Sequence, residues 1–291
     1  MKKQWFASIA VVLLGLILVQ GSPPPVMANL SKTSTQQEEI QTGIDSGFAY
    51  LQSQMNEDGG IRWVDENSSM AASLRVVLAL ASAGYPQDFL QSEEGHCPID
   101  FLAANASSWV NQEESENPAF NVARAGQLLT AIAAANENPN QFGQDDLNLI
   151  LDINLSYDPS TGVFGEATPE NVLDQVWAMI GLAANNAAIQ EEASAWLVST
   201  QAEDGSWNDG FGSLLDTTPL GMLALLSART HNTDAAPIQN ALGFMQANQQ
   251  PPGGWQSDWD TTTNANTTAV MLQVIDQLGQ SPFDETWQMP E

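Results

Sequence analysis

Few side-chain sets in this chain are able to do chemistry, and each can be named. Acids are abundant, with 35 Asp and Glu among 291 residues. Asp258 and Asp260 flank Trp259, a spacing that can present two carboxyls for general acid–base work. In a chain this acidic a solvated turn accounts for them as simply. Asp145-Asp146 reads as a helix start, where free N–H groups favour negative charge. For metal binding there are two histidines, His96 and His231, and one cysteine, Cys97. The adjacent pair His96-Cys97 chelates a tetrahedral zinc poorly, and no spaced carboxylate completes the set. The turns Asn56-Glu57-Asp58-Gly59 and Glu203-Asp204-Gly205 have oxygen donors suited to calcium but too few of them, and read as caps. No Gly-x-Ser-x-Gly accompanies the two histidines, so a serine hydrolase has no support. No metal and no cofactor is expected.

Charge narrows the partners. Lys2 and Lys3 precede an apolar run, Trp5 to Val19, followed by Pro23 to Pro25 and Val26-Met27-Ala28. This is the pattern of an export signal, with cleavage expected after Ala28 and an extracellular or periplasmic destination. The run is short for a membrane span, so membrane contact is expected only through this segment if it stays uncleaved. After Ala28 five basic residues face 35 acidic ones, a net charge of −30. Nucleic acid and anionic surfaces are excluded as partners on that balance. A single cysteine allows no intrachain disulfide.

The elements that must position these residues are helical repeats. Leu78-Ala79-Leu80-Ala81-Ser82-Ala83-Gly84 recurs as Thr130 to Asn136, Ile180 to Asn186, Leu223 to Arg229 and, more weakly, Gln273 to Gly279. The central apolar residues 80, 132, 182, 225 and 275 are spaced by 52, 50, 43 and 50. Each copy is apolar nearly all round, which predicts a helix covered on every side. An amphipathic helix precedes it, as at Ile44 to Gln54, Glu191 to Gln201 and Ile238 to Gln249. Between the two sits a glycine–aromatic turn: Gly59-Gly60-Ile61-Arg62-Trp63, Gly162-Val163-Phe164-Gly165, Gly205-Ser206-Trp207 and Gly253-Gly254-Trp255. Residues 111 to 118 replace it in the second repeat. No stretch shows strand alternation. The expected organisation is a leader 1–28, an N-terminal segment 29–43 and one all-α domain over 44–291.

Two turns match a known motif in full. Gln201-x-x-x-Gly205-x-Trp207 and Gln249-x-x-x-Gly253-x-Trp255 both read as the QW motif of squalene and oxidosqualene cyclases. Over about residues 40 to 287 the chain resembles secreted bacterial prenyltransferase/squalene-cyclase-like repeat proteins. The segments Asn121 to Leu129, Asn140 to Gly143 and Val172 to Ala178 add to the likeness. The resemblance implies an α/α toroid, an inner ring of helices inside an outer one, here with about five repeats and possible incomplete closure. The cobalamin-binding intrinsic factor and transcobalamin share that toroid without catalysis. It also implies that Gln201 and Gln249 tie helix ends, Gly205 and Gly253 turn the chain, and Trp207 and Trp255 pack between helices.

Catalysis of the cyclase kind needs a strong acid in an Asp-x-Asp-Asp-Thr-Ala stretch at the head of an inner helix. Here that stretch reads Asn264-Ala265-Asn266-Thr267-Thr268-Ala269, with Asn266 in place of the proton donor. An amide has no such proton to give. The zinc set of protein prenyltransferases, the Asp-rich diphosphate motif of other cyclases and the thioester stretch of complement-type toroids are also missing. The expected function is therefore a non-catalytic toroid that binds a small, largely apolar ligand or a protein partner. Asp174, Trp177, Asp216, Asn264 and Asn266 at the inner-helix heads are the candidate lining. A cyclase-like enzyme using Asp258 or Asp260 as an unorthodox acid, and a purely structural surface protein, are the alternatives.

Overall fold

Segments apolar nearly all round bury most of their surface, and five of them become the largely buried helices of this protein. They are α2 (Met70–Ser82), α4 (Val122–Ala135), α6 (Leu173–Ala184), α8 (Leu214–Ser227) and α10 (Ala265–Gln277). Alternating with them in sequence are α1 (Ser34–Ser53), α3 (Pro98–Val110), α5 (Leu149–Leu155), α7 (Glu191–Ser199) and α9 (Ala236–Ala247). The computed structural model describes residues 34–287 except Asn117, Pro252, Trp259 and Asp260. The expected leader and its cleavage point at Ala28, and residues 29–33 of the segment after it, lie outside the described residues.

The protein is predominantly helical, in agreement with the all-α class expected from the repeats. The buried helices pack in chain order, α2 on α4, α4 on α6, α6 on α8 and α8 on α10. Among the described residues α2 and α10 share no extensive contact. One core cluster runs from Met70 on α2 to Ile275 on α10 and Trp287. A smaller one joins Phe48 and Leu51 of α1 to Val76 and Leu80 of α2.

Local chemistry sets the helix boundaries. Asn121 and Asn264 cap α4 and α10 with their side-chain oxygens, and Ser69 does the same for α2. Each buried helix ends at a residue with positive φ: Gly84, Asn136, Asn186, Arg229 and Gly279. In four of the five the next N–H reaches back five residues, to the carbonyls of Leu80, Ile132, Leu182 and Ile275, at 2.9–3.1 Å. These acceptors are the apolar residues that align the sequence copies, so sequence register and backbone register coincide.

Three features depart from the sequence expectations. Helix α1 begins at Ser34 and not near Ile44, because Ser34 to Thr42 is rich in Gln and Glu, which sustain a helix without an apolar stripe. Helix α5 spans only seven residues. Two antiparallel ladders also occur, β1 (Ile61–Arg62) with β2 (Ser68–Ser69) and β3 (Tyr157–Asp158) with β4 (Val163–Phe164). At two residues per strand they are turn pairings, too short to show alternation. No helix among the described residues is long and apolar enough to cross a membrane.

The closest approach in the core is between α4 and α6. A Cβ on Gly126 would lie 2.2 Å from the Trp177 carbonyl oxygen, and one on Gly181 would lie 2.5 Å from the Gly126 carbonyl oxygen. Backbone touches backbone there, so neither position has room for a side chain.

Candidate functional site

The glycine–aromatic turns hold the repeats together by one recurring device. The backbone N–H of the turn residue donates to a side chain on the following buried helix. Ile61 N donates to Ser73 Oγ at 3.0 Å, Phe164 N to Gln175 Oε1 at 2.8 Å, Trp207 N to Thr218 Oγ1 at 3.1 Å and Trp255 N to Thr268 Oγ1 at 3.0 Å. The acceptors lie 11 to 13 residues beyond their donors. That spacing of a hydroxyl or amide after each turn was visible in the sequence and is the signal that motif matching missed.

The two full QW motifs add a second tie. Gln201 Nε2 donates to the Gly205 carbonyl at 3.0 Å and to the Pro237 carbonyl, at the start of α9, at 2.8 Å. Gln249 Nε2 repeats this with the carbonyls of Gly253 at 2.8 Å and Trp287 at 2.9 Å. The indoles of Trp207 and Trp255 are buried, and each Nε1–H donates to the helix before its turn, at Leu197 O of α7 and Met245 O of α9. Gly205 turns with φ +92°, and a Cβ there would meet the Asn240 carbonyl oxygen at 2.3 Å, so only glycine lets the turn seat on α9. In the third repeat Gln175, on the buried helix, supplies the same tie from the other side: its Nε2 donates to Gly162 O at 3.1 Å and Ala193 O at 2.9 Å.

The heads of the buried helices were the expected ligand site, and their polar groups are bonded to neighbouring repeats. Asp174 Oδ1 accepts from Ala123 N, in the first turn of α4, at 3.0 Å. Its Oδ2 accepts from Glu166 N at 2.9 Å, so both oxygens engage backbone donors. Asp258, exposed, accepts from Leu215 N at the start of α8 at 2.9 Å. Asp216 accepts from Thr267 Oγ1 of α10 at 2.5 Å. Asn264 is the N-cap of α10, accepting from Asn266 N at 2.8 Å and Thr267 N at 3.3 Å, while the Asn266 side chain is exposed. Helix starts present unpaired N–H groups, and the Asp174 and Asp258 carboxylates from the next repeat satisfy some of them, while Asn264 caps its own helix.

These residues sit pairwise across helix junctions. Asp216 meets the head of α10, Asp174 the head of α4 and Asp258 the head of α8. Asp260, the second member of the candidate acid pair, lies outside the described residues. Trp177 is half-buried against the core. The aspartates of the calcium-like turns act as turn caps: Asp58 accepts from Gly60 N at 2.9 Å and Asp204 from Ser206 N at 3.0 Å.

His96 is exposed while Cys97 is buried, and among the described residues no group of three His, Cys, Asp or Glu side chains could hold a metal ion. Cys97 is the N-cap residue of α3, and its N and Sγ donate to Asp100 Oδ2 at 2.9 and 3.0 Å; burial, and then the neighbouring Asp100, push its thiol up to about 11. A thiol so placed is a packing group and not a nucleophile.

No protein-family model matches the chain, and no curated protein matches it in sequence. Among solved structures, a crystal structure of a protein from Actinoplanes is similar over 95% of this chain and 90% of that one, with a TM-score of 0.57 at 15% identity. The likeness is one of fold.

Proposed function

We propose that this protein is an exported, non-catalytic member of the helical-toroid architecture that takes up a small, largely apolar ligand or a protein partner at the inner-helix heads. In this reading α2, α4, α6, α8 and α10 form the inner arc, the alternating helices the outer one, and the arc stays open between α10 and α2. The observation that carries it is the employment of the head carboxylates. Asp174 and Asp258 accept from the backbone of neighbouring helix starts, and Asp216 accepts from Thr267. The head of α10, where a cyclase of this architecture holds its acid, carries Asn264 and Asn266. The framework that positions a reaction chamber is kept and the proton donor is replaced, which favours binding over carbocation chemistry.

Native mass spectrometry of the protein isolated from its own host tests this directly. A retained mass of a few hundred daltons that is lost on denaturation is expected. Incubation with squalene is expected to leave it unchanged. A cyclic product would overturn the reading, and so would a protein that carries nothing and has no co-purifying partner.

A further inference from the structure

Positive charge is scarce in this chain, which makes the place of each arginine informative. Arg62 pairs with Glu66 at 3.4 Å. Arg124 donates to the Trp109 carbonyl at 2.9 Å and lies over the Trp109 ring. Arg75 is placed differently. It stands in the middle of α2, half-buried, and no carboxylate lies within 4.0 Å of it among the described residues. Among the described residues its guanidinium makes one hydrogen bond, Nη1 to the Ala71 carbonyl at 3.3 Å, and it lies 5.2 Å from the Trp63 ring centroid. Burial pulls its pKa down from the ordinary arginine value, and no nearby acid offsets that. A guanidinium carries five N–H donors, so most of those of Arg75 have no acceptor among the described residues.

The surroundings say what kind of partner fits. On α2 the residues that keep exposure are Ala71, Arg75, Leu78, Ala81 and Ser82, and Ala71, Arg75, Leu78 and Ser82 form one helical stripe on the side left uncovered by the neighbouring helices. The corresponding partly exposed residues on the next buried helices are Gln127, Trp177, Leu220 and Val270, mostly apolar. A partly desolvated cation beside an apolar stripe gains from an anion. The fork of a guanidinium matches a carboxylate in two parallel hydrogen bonds. One such group against a chain of net charge −28 supports a monoanion; a polyanion would be repelled by the rest of the protein.

We propose that this uncovered inner face binds a long-chain carboxylate, a free fatty acid, with its head group on Arg75 and its chain over Leu78 toward Trp177. This rests on the ligand-binding reading above and names the ligand's class. Adjacent packed helices stand about 8–10 Å apart, so an extended acyl chain spans the two steps from α2 to α6.

The test is a titration of the full protein with palmitate and, separately, with 1-hexadecanol, followed by intrinsic tryptophan fluorescence. Palmitate is expected to bind the wild type about tenfold or more tightly than hexadecanol. Arg75→Gln should bring palmitate down to the hexadecanol level and leave hexadecanol unchanged, and Arg75→Lys should fall between. Circular dichroism of both variants reports whether they fold, and the comparison of the two probes on the wild type needs no variant at all. Equal binding of the two probes by the wild type would remove Arg75 as head-group partner while leaving the apolar-ligand reading intact. Binding of neither probe would remove the fatty acid, while the small-ligand reading stands or falls on the mass retained by the protein from its own host.

Discussion

Replacing Gln175 by alanine should damage the fold more than any exposed substitution, and the structure says by how much. The Gln175 side chain is fully buried. Its Oε1 accepts from Phe164 N at 2.8 Å, and its Nε2 donates to Gly162 O at 3.1 Å and Ala193 O at 2.9 Å. Alanine leaves one N–H and two carbonyls without that partner. Each of the three stranded groups costs about 1–3 kcal/mol, and at the lower part of that range about 4 kcal/mol is expected in total. In a chain of this size each kcal/mol lowers the melting temperature by about 2–4 °C, which gives a drop of about 8–16 °C. Glutamate at 175 should be no better, because it sets a second oxygen against two carbonyls. Gln127→Ala is the control: that side chain is half-exposed on α4 with no side-chain hydrogen bond, and its loss should stay within about 0.5 kcal/mol. Calorimetry of the three variants decides the matter. A Q175A protein melting within 2 °C or so of the wild type would show that the amide does not hold the third and fourth repeats together.

Other outcomes follow from the same contacts. Gly126→Ala forces a Cβ to 2.2 Å from the Trp177 carbonyl oxygen, a backbone atom that cannot swing away. A loss of about 2–3 kcal/mol is expected by denaturant titration, with α4 and α6 separating first in hydrogen exchange. Asp174→Ala removes two acceptors from backbone donors and should cost about 2 kcal/mol, with Asp174→Asn closer to wild type because an amide oxygen can still cap α4. Cys97, with its thiol pushed up to about 11, should resist iodoacetamide at pH 8 in the folded protein and react once the chain is unfolded. The sign for stability is fixed by the same shift. The folded protein holds the thiol proton more tightly than the unfolded chain, so the contribution is complete below the unfolded value near 8.5 and is lost as pH rises toward about 11. Wild type and Cys97→Ser should therefore differ in how their stability falls between pH 9 and 11.

What could be read along the chain was whatever repeats at short range. All-round apolar segments announced the five buried helices, and residues 80, 132, 182 and 275 marked equivalent helix ends, because burial pattern and end geometry are written within a dozen neighbouring residues. The glycine–tryptophan turns were legible for the same reason. The employment of Asp174, Asp216 and Asp258 was not. Their partners Ala123, Thr267 and Leu215 lie 51, 51 and 43 residues away, and a lone acid at a helix head looks the same in sequence whether it faces a ligand or the next repeat. Gln175 makes from α6 the tie that Gln201 and Gln249 make in the later repeats, which no motif position signals. Arg75 reads as an ordinary helix residue until packing shows that no acid among the described residues lies within 4.0 Å of it. Helices arise from local hydrogen bonds and local apolar periodicity, whereas a side chain's partner is settled only when the repeats dock against one another.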